Sequence, residues 1–263
     1  RVPDRFAVRQ GERLRLRLIN AANARHFALD FADQPVQVIA LDGHPVAPHA
    51  PEDGRVVLGP GMRADLVLDV TAAPGATVPV IDRFHPRGQY RLVELAVAPA
   101  PLRDRAPDWP VALAPNPLPE PDPAAARRVE VVFDGGMMGR MMMGGGAMLE
   151  MMRAGRIWAI NGVVGSEHAM PPMLTLARGE SCVLAMANET AWHHPIHLHG
   201  HAFRVLARDG RPTRHREWQD TVLVSPRERV EIAFVADNPG DWMFHCHVLE
   251  HQQTGMMAVI RVG

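Results

Sequence analysis

The residues best suited to chemistry lie near the carboxyl end of the chain, between Trp242 and Met257. The ligand-type side chains of this run are His245, Cys246, His247, His251 and Met256. Successive side chains of an extended strand point to opposite faces, so Cys246 faces away from the two histidines beside it. One strand end therefore offers metal ligands on both of its faces.

The donors on the Cys246 face are soft. A thiolate, the imidazole of His251 and the thioether of Met256 suit copper better than magnesium, calcium or manganese. Two histidines and a cysteine with a weak axial methionine form a blue, one-electron copper centre, so a second imidazole is needed from elsewhere. A zinc hydrolase explains the pattern less well, because zinc does not require a free cysteine between two histidines.

A second histidine cluster, residues 193–201, supplies candidate imidazoles. His197 and His199 are two residues apart and share one face of a strand. His194 precedes Pro195, which we expect to break regular strand pairing. The ligands then form two sets, the first being His194 with Cys246 and the second His197 and His199 with His245 and His247.

These two segments resemble the C-terminal copper signature of the multicopper oxidases, which include three-domain laccases and bacterial cuprous oxidases. The likeness is carried by His194-Pro-x-His197-x-His199 and by His245-Cys246-His247-x3-His251-x4-Met256. The resemblance implies a type 1 copper at His194, Cys246, His251 and Met256. It also implies a type 2 copper at His197 and a type 3 copper pair at His199, His245 and His247.

In that family, the cysteine site accepts electrons from a reducing substrate and passes them to a three-copper cluster, where dioxygen becomes water. The resemblance therefore implies an oxidase of Cu(I) or phenolic substrates, located in the periplasm or otherwise exported. A copper-binding or structural module without oxidase activity of its own is the alternative. The intact ligand set favours the oxidase. The family pattern leaves out His201, which we expect to be structural.

The chain carries only half of the histidines that the family uses for its three-copper cluster. The other half belongs to a first domain with two His-x-His pairs, and residues 1–127 contain no such pair. We therefore expect the missing pairs on an N-terminal cupredoxin domain, in the same precursor or on another polypeptide. A self-sufficient two-domain laccase does not fit, because such chains carry all the ligand pairs.

The elements that position these residues follow from pattern and composition. The chain has 263 residues, 47% of them hydrophobic, which is enough for two ordinary cores. Apolar and polar residues alternate in short runs over residues 1–98, which predicts antiparallel β-sheet with one solvated face. The formal charge of -1 shows no nucleic-acid signature, and no apolar run is long enough for a membrane span.

Prolines recur from Pro99 to Pro123 and predict an extended, stiff connector, which we expect Trp109 to pin to a domain surface. The strand pattern resumes at Arg128. We therefore expect a domain at residues 1–98, a connector at 99–127 and a C-terminal domain at 128–263. With the resemblance, the fold class is all-β, with two cupredoxin-like Greek-key β-sandwich domains.

The two halves repeat one pattern of spacings. Gly11-Glu12, Asn20 and His26 are spaced like Gly179-Glu180, Asn188 and His194. Further along the chain, corresponding positions of the two halves are Asp42-Gly43 and Asp209-Gly210, Arg63 and Arg229, and Tyr90 and Trp242. Glu94 then matches Cys246, so the first half lacks the thiolate and is expected to bind no copper in its core. It resembles the middle domain of a three-domain multicopper oxidase.

Eight of the 15 methionines lie in residues 137–152, among glycines that disfavour helix and strand. This segment resembles the Met-rich insertion of bacterial cuprous oxidases and could dock Cu(I) through soft thioethers. A flexible insertion without a ligand, or a packing helix, is the alternative.

Four further residues complete the expectations for the site. Cuprous oxidases place an acidic residue four residues before the first type 1 histidine, but this chain has Thr190 at that position, with Glu189 beside it. Which acid, if any, takes part in substrate oxidation is therefore left open. Glu250 is a candidate to orient His251. Cys182 lies in an apolar run and is expected to be a buried, small hydrophobic residue that forms no disulfide with Cys246.

Overall fold

The computed structural model describes residues 4–105, 107–108, 111–136, 155, 157–166 and 170–263. The chain divides into two compact units, Arg1–Leu58 with Met62–Asn116, and Gly59–Gly61 with Pro117–Gly263. The division after Asn116 falls inside the proline-rich connector, and the domain boundaries given above stay predictions. The interpretations of Trp109 and of the Met-rich segment fall outside the described residues.

In the part of the first unit that the structure describes, nine strands form two sheets, with one short 3-10 turn at Glu52–Gly54. The strands are β1 Arg5–Val8, β2 Arg13–Ile19, β3 Phe27–Asp30, β4 Val36–Leu41, β5 His44–His49, β6 Arg55–Leu58, β7 Arg63–Asp69, β8 Thr77–Asp82 and β9 Tyr90–Val97. One sheet has the order β1-β9-β8-β3-β6, and the other has the order β2-β7-β4-β5.

The predicted alternation between a buried and a solvated face is clear in β7. Leu66 and Leu68 of this strand are fully buried, whereas Asp69 faces the neighbouring strand and accepts hydrogen bonds from the Arg13 guanidinium. Burial of a leucine side chain contributes about 1.5 to 3 kcal/mol, so the inward face supplies most of the stability. The Arg13–Asp69 ion pair joins two residues that lie opposite each other in the register of β2 and β7.

The described residues of the second unit form twelve strands in two sheets. The strands are β10 Arg127–Gly135, β11 Trp158–Ile160, β12 Leu174–Leu176, β13 Ser181–Asn188, β14 His194–Leu198, β15 Phe203–Arg208, β16 Arg211–Pro212, β17 Trp218–Gln219, β18 Thr221–Val224, β19 Arg229–Val235, β20 Gly240–Cys246 and β21 Met257–Val262. One sheet has the order β11-β10-β13-β19-β15-β16, with β17 also paired to β15. The other has the order β12-β21-β20-β14-β18.

The core of this unit is formed by apolar side chains of both sheets, among them the fully buried Phe133, Phe234 and Phe244. Cys182 lies in this core as a free thiol, and burial raises its pKa to about 12. The expectation of a buried, small hydrophobic cysteine is confirmed. Cys246 is also free and fully buried, and it lies where β20 ends.

One short α-helix, α1 at Leu249–Gln253, lies between β20 and β21, and the other described residues are almost all strand, turn or irregular backbone. The predicted all-β class is confirmed. None of the helices within the described ranges is long and apolar enough to cross a membrane.

The expected break of strand pairing at Pro195 is wrong. β14 runs through this proline and pairs with β18 without a register shift, from His194 opposite Val224 to His197 opposite Thr221. The Pro195 carbonyl accepts a hydrogen bond from the His247 backbone beyond the end of β20, so its missing N–H also falls beyond that strand. Pairing with β18 is unbroken there, and the proline is tolerated because its missing N–H faces the end of β20.

Candidate metal centre

Three ligand-type side chains converge in the core of the second unit. His194 begins β14, Cys246 ends β20 and His251 lies in α1. The Cys246 Sγ lies 3.6 Å from the Nδ1 atoms of both His194 and His251, and these two nitrogens are 3.1 Å apart. All three residues are buried, so the donor atoms face one another away from solvent.

Strand register explains how His194 reaches Cys246. β14 and β20 are antiparallel neighbours in which Ile196 lies opposite Cys246. Since side chains alternate along a strand, His194 and Ile196 share the core-facing side, while His197 faces the other way. The grouping of His194 with Cys246 therefore needs no interruption of the strand.

The turn after β20 returns the chain toward Cys246 with the two remaining candidate ligands, His251 and Met256. The Val248 N–H lies 3.4 Å from Cys246 Sγ, and α1 then carries His251 over the same side. The Cys246 N–H donates to the Met256 carbonyl, and the Met256 N–H donates to the His251 carbonyl. The Met256 side chain is fully buried beside this turn.

The buried hydroxyl of Thr190 assigns the tautomer of His194. Its Oγ1 lies 2.8 Å from Asn188 Oδ1, which can only accept, and 2.8 Å from Nε2 of His194. The hydroxyl proton goes to Asn188, so Thr190 accepts the Nε2–H of His194. The other ring nitrogen, Nδ1, then carries a lone pair that faces Cys246 and His251.

Burial shifts the protonation equilibria at this site. It raises the pKa of the Cys246 thiol above its ordinary value, against a smaller opposing effect of the Val248 N–H, and it lowers the pKa of His251 to about 4. At neutral pH the imidazole of His251 is uncharged and able to bind a cation. A buried thiolate here needs a positive charge beside it, which a metal ion bound by the same donors supplies.

Two indoles flank the His251 imidazole. The ring of Trp158 lies 4.3 Å from that of His251 and 5.1 Å from that of His194, between centroids, and it is buried. Trp192 meets His251 edge-on at 6.4 Å and is half exposed. Spacing along the chain carries no signal for either tryptophan or for the contact of Thr190 with His194, so none of them is predicted from the sequence.

The second predicted set of histidines forms a separate cluster on the opposite face of β14 and β20. Nε2 of His199 lies 3.1 Å from Nε2 of His245, and the ring of His197 lies 4.7 Å from that of His199. The ring of His247 lies 5.7 Å from that of His245 and 6.0 Å from that of His197. Four imidazoles thus occupy one small region.

Backbone carbonyls orient two of these imidazoles. Nδ1 of His197 lies 2.8 Å from the carbonyl oxygen of Asp220, and Nδ1 of His245 lies 2.8 Å from that of Cys246. An Nδ1–H that donates to a carbonyl leaves the Nε2 lone pair free for a metal. Partial burial and the neighbouring imidazoles of His197 and His247 lower the pKa of His199, and burial lowers that of His245 to about 4, which disfavours the charged form of both rings.

Three other predicted residues are held by partners other than the ligand imidazoles and the thiol. His201 is buried between the rings of Phe234 and Trp242, in keeping with a structural role. Glu189 is exposed and faces Arg227 at 3.5 Å. Glu250 is exposed at the start of α1, and its carbonyl accepts from the Thr254 hydroxyl.

Comparison with known proteins gives a consistent result. Two family models, both described as multicopper oxidase, match residues 3–77 and 145–263. Multicopper oxidase MmcO of Mycobacterium tuberculosis is 31% identical over 95% of this chain and 46% of its own length. The laccase of Neurospora crassa is 24% identical over 94% of this chain and 46% of its own length. The chain therefore spans about half the length of these curated relatives.

Solved structures show the same fold. A multi-copper oxidase from Pseudomonas thermotolerans is 33% identical with a TM-score of 0.81, covering 98% of this chain and 57% of that one. A laccase-like multi-copper oxidase, CueO from Ochrobactrum, is 27% identical with a TM-score of 0.75 at the same coverage. The predicted cupredoxin-like fold is confirmed. The thiol and imidazoles of Cys246, His194 and His251 are the donor types that type 1 copper requires.

Proposed function

Because the chain belongs to the multicopper oxidase family, we propose that its second unit accepts single electrons from a reducing substrate and delivers them to a three-copper cluster. Dioxygen is the final acceptor and is reduced to water. In this proposal His194, Cys246, His251 and Met256 hold the type 1 copper. His197 holds the type 2 copper, and His199, His245 and His247 belong to the type 3 pair.

The observation that carries the proposal is the position of Cys246 between two ligand sets. Its thiol lies within 3.6 Å of two buried imidazole nitrogens. Its neighbours in sequence, His245 and His247, belong to the second cluster. A few covalent bonds therefore link the sulfur to both of these imidazoles, which is a short path for electrons.

Copper held by these residues would supply a one-electron acceptor at the thiol and a site for dioxygen reduction at the histidine cluster. The residues of the chain supply its surroundings. Phe133, Phe244 and Trp158 exclude water from the thiol, since all three are buried around it. Thr190 and the Asp220 and Cys246 carbonyls hold imidazoles in fixed tautomers, which limits reorganisation when electrons pass.

We assign the remaining histidines of the three-copper cluster to an N-terminal cupredoxin domain outside this sequence. The chain has four histidines in the second cluster, and it covers 46% of the Mycobacterium relative. His199 is exposed, so its imidazole is accessible to ligands from another domain. By the family resemblance, we place the whole protein in the periplasm or another exported compartment.

The proposed electron donors are Cu(I) or phenols. Trp192 presents an exposed indole beside His251, a surface on which an electron-rich aromatic ring can stack. The Met-rich residues 137–152 offer soft thioethers suited to Cu(I), although they fall outside the described residues. Rates of anaerobic reduction by a phenol and by Cu(I) distinguish the two donors.

The first test uses the two cysteines as a matched pair. Added Cu(II) should give the wild-type chain an intense blue absorption, because a Cu(II)–thiolate bond is required for it. Cys246→Ser should abolish this absorption, and Cys182→Ser should retain it, since Cys182 is buried away from the imidazoles. A blue colour that survives in Cys246→Ser overturns the assignment.

The second test separates the oxidase from a copper-binding or structural module. Oxygen consumption with a phenol or Cu(I) should appear only when a copper-loaded domain carrying two His-x-His pairs is supplied with the chain. His197→Ala should abolish this consumption and leave the blue absorption intact. A fully blue chain that never supports oxygen reduction with that domain favours the module.

A further inference from the structure

The tripeptide Gly59-Pro60-Gly61 belongs to the second unit, although it joins β6 to β7 of the first. It is a turn in which Gly59 and Pro60 are buried. A Cβ at position 59 would meet Pro195 Cβ at 2.9 Å and Leu223 Cδ1 at 3.2 Å. The turn therefore packs closely on β14 and β18.

Gly61 lies even closer to a predicted ligand. A Cβ at this position would overlap the imidazole of His247, with ring Cγ and Nε2 both 2.6 Å away. Carbon atoms in ordinary contact are about 3.5 to 4.0 Å apart, so an added methyl would push the ring by roughly 1 Å. The backbone of Gly61 thus occupies the space beside one edge of the His247 ring.

His247 is placed where such a neighbour matters. It follows the last residue of β20, is half-buried, and donates its backbone N–H to the Pro195 carbonyl at 2.7 Å. The tripeptide contacts both partners of this hydrogen bond, Pro195 through Gly59 and His247 through Gly61. It can therefore set the position of the His247 ring relative to those of His197 and His245.

We propose that Gly61 is a positioning residue for His247, and that the metal-binding geometry of the histidine cluster requires the absence of a side chain at position 61. The inference rests on the proposed function, in which His247 binds copper. Metal ligands must be held to within about 0.5 Å of their productive geometry, which is less than the displacement that a methyl group imposes. Gly61 itself touches no metal in this proposal.

A positive φ gives glycine a second reason to be present, and the chain offers a control for it. Gly61 has φ +80° and Gly179 has φ +85°, but a Cβ on Gly179 meets no atom within 4 Å. An alanine costs both backbones a similar strain. Only the variant at position 61 also displaces an imidazole.

The experiment compares Gly61→Ala with Gly179→Ala. Each variant is combined with Cys246→Ser to remove the thiolate site. Calorimetric titration then measures the affinity of the histidine cluster for Zn²⁺. We expect the affinity to fall about tenfold or more in Gly61→Ala and to stay at the Cys246→Ser value in Gly179→Ala. With Cys246 intact, both glycine variants should keep the blue absorption of the bound copper.

Each outcome separates this inference from the proposed function. If the Cys246→Ser chain takes up no Zn²⁺ and the wild type no copper at the histidine cluster, the proposed function fails. If Zn²⁺ binds equally well to both glycine variants, or if both lose it equally, the positioning role is overturned. If Gly61→Ala does not fold, the close contact is tested in the wild type by NMR. The absence of a nuclear Overhauser effect between Gly61 Hα and His247 Hδ2 would also overturn the positioning role.

Discussion

Thr190 shows how one hydroxyl can prepare a metal ligand. It accepts the Nε2–H of His194 and donates to Asn188, so the Nδ1 lone pair of His194 faces the thiol. Replacement by valine removes this acceptor from the buried Nε2–H of His194. We expect Thr190→Val to lower the affinity for Cu(II) by about 10-fold to 100-fold, measured by competition with a chelator.

Thr190→Ser is the control for this prediction, since serine keeps the hydroxyl between Asn188 and His194. Its copper affinity should stay within about threefold of the wild type, well above that of the valine variant. Equal losses in the two variants would mean that the methyl group, through packing, holds His194 in place.

The sequence predicted which side chains come together far better than the contacts that orient them. Alternation along β20 and the spacing from Cys246 to His251 depend on local geometry, and the two side chains do meet. The contact of Trp158 with His251 joins residues far apart in the chain, where spacing gives no guidance. Thr190 was considered only as a substitute for an acid, although its hydroxyl acts on His194 directly.

At the scale of elements, a buried carboxylate ties β8 to β3. Asp82 accepts from the backbone N–H groups of Ala28 and Phe84 and from the Arg25 guanidinium at 2.7 Å. Burial by itself would raise the pKa of Asp82, but the bonds from Phe84, Arg25 and Ala28 outweigh it and leave the pKa below its ordinary value. The folded state therefore favours the ionised form.

The sign of the resulting pH dependence follows from this lowered pKa. The stabilisation by Asp82 is complete above the unfolded-state pKa of about 4 and is lost as pH falls through the folded-state value. Asp82→Asn should lower the free energy of unfolding by about 1 to 3 kcal/mol at pH 7. It should also reduce the loss of stability that the wild type shows as pH falls. The NMR resonances of Tyr90, the single tyrosine, monitor thermal unfolding of the first unit.

Asp33→Asn is the matched control, because Asp33 is exposed in the turn before β4. It should unfold like the wild type at every pH. If Asp82→Asn keeps the full acid sensitivity of the wild type, another group carries the pH dependence.

Pro195 shows why the ends of strands are harder to predict from the sequence than the strands themselves. A proline within a run of histidines predicts a break when each strand is considered alone. In the sheet, β20 stops at Cys246, opposite Ile196, so the neighbour that would have needed the missing N–H is not a strand residue. Tertiary pairing decides this boundary, and a single strand contains no information about it.

For the molecule as a whole, the repeat predicted from spacing reappears in structural detail within each unit. The Asn20 side chain donates to the carbonyls of Arg25 and Leu58, and that of Asn188 donates to the carbonyls of Trp192 and Ser225. Gly11 and Gly179 both have positive φ. The correspondence makes Glu94 the counterpart of Cys246, and Glu94 forms an ion pair with Arg91.

The repeat also provides a paired test of where copper binds. His26 and His194 occupy the same repeat position, but His26 stacks on Phe84 at 5.0 Å whereas His194 faces a thiol. His194→Ala should lower Cu(II) affinity by more than about a hundredfold and remove the blue absorption, because it deletes a direct ligand. His26→Ala should leave both unchanged and lower only the stability of the first unit. Copper titration with absorbance detection measures the first effect, and thermal unfolding followed by the NMR resonances of Tyr90 measures the second. A loss of blue copper in His26→Ala would place a copper ligand in the first unit. That result would contradict the prediction that a sandwich without the thiolate binds no copper.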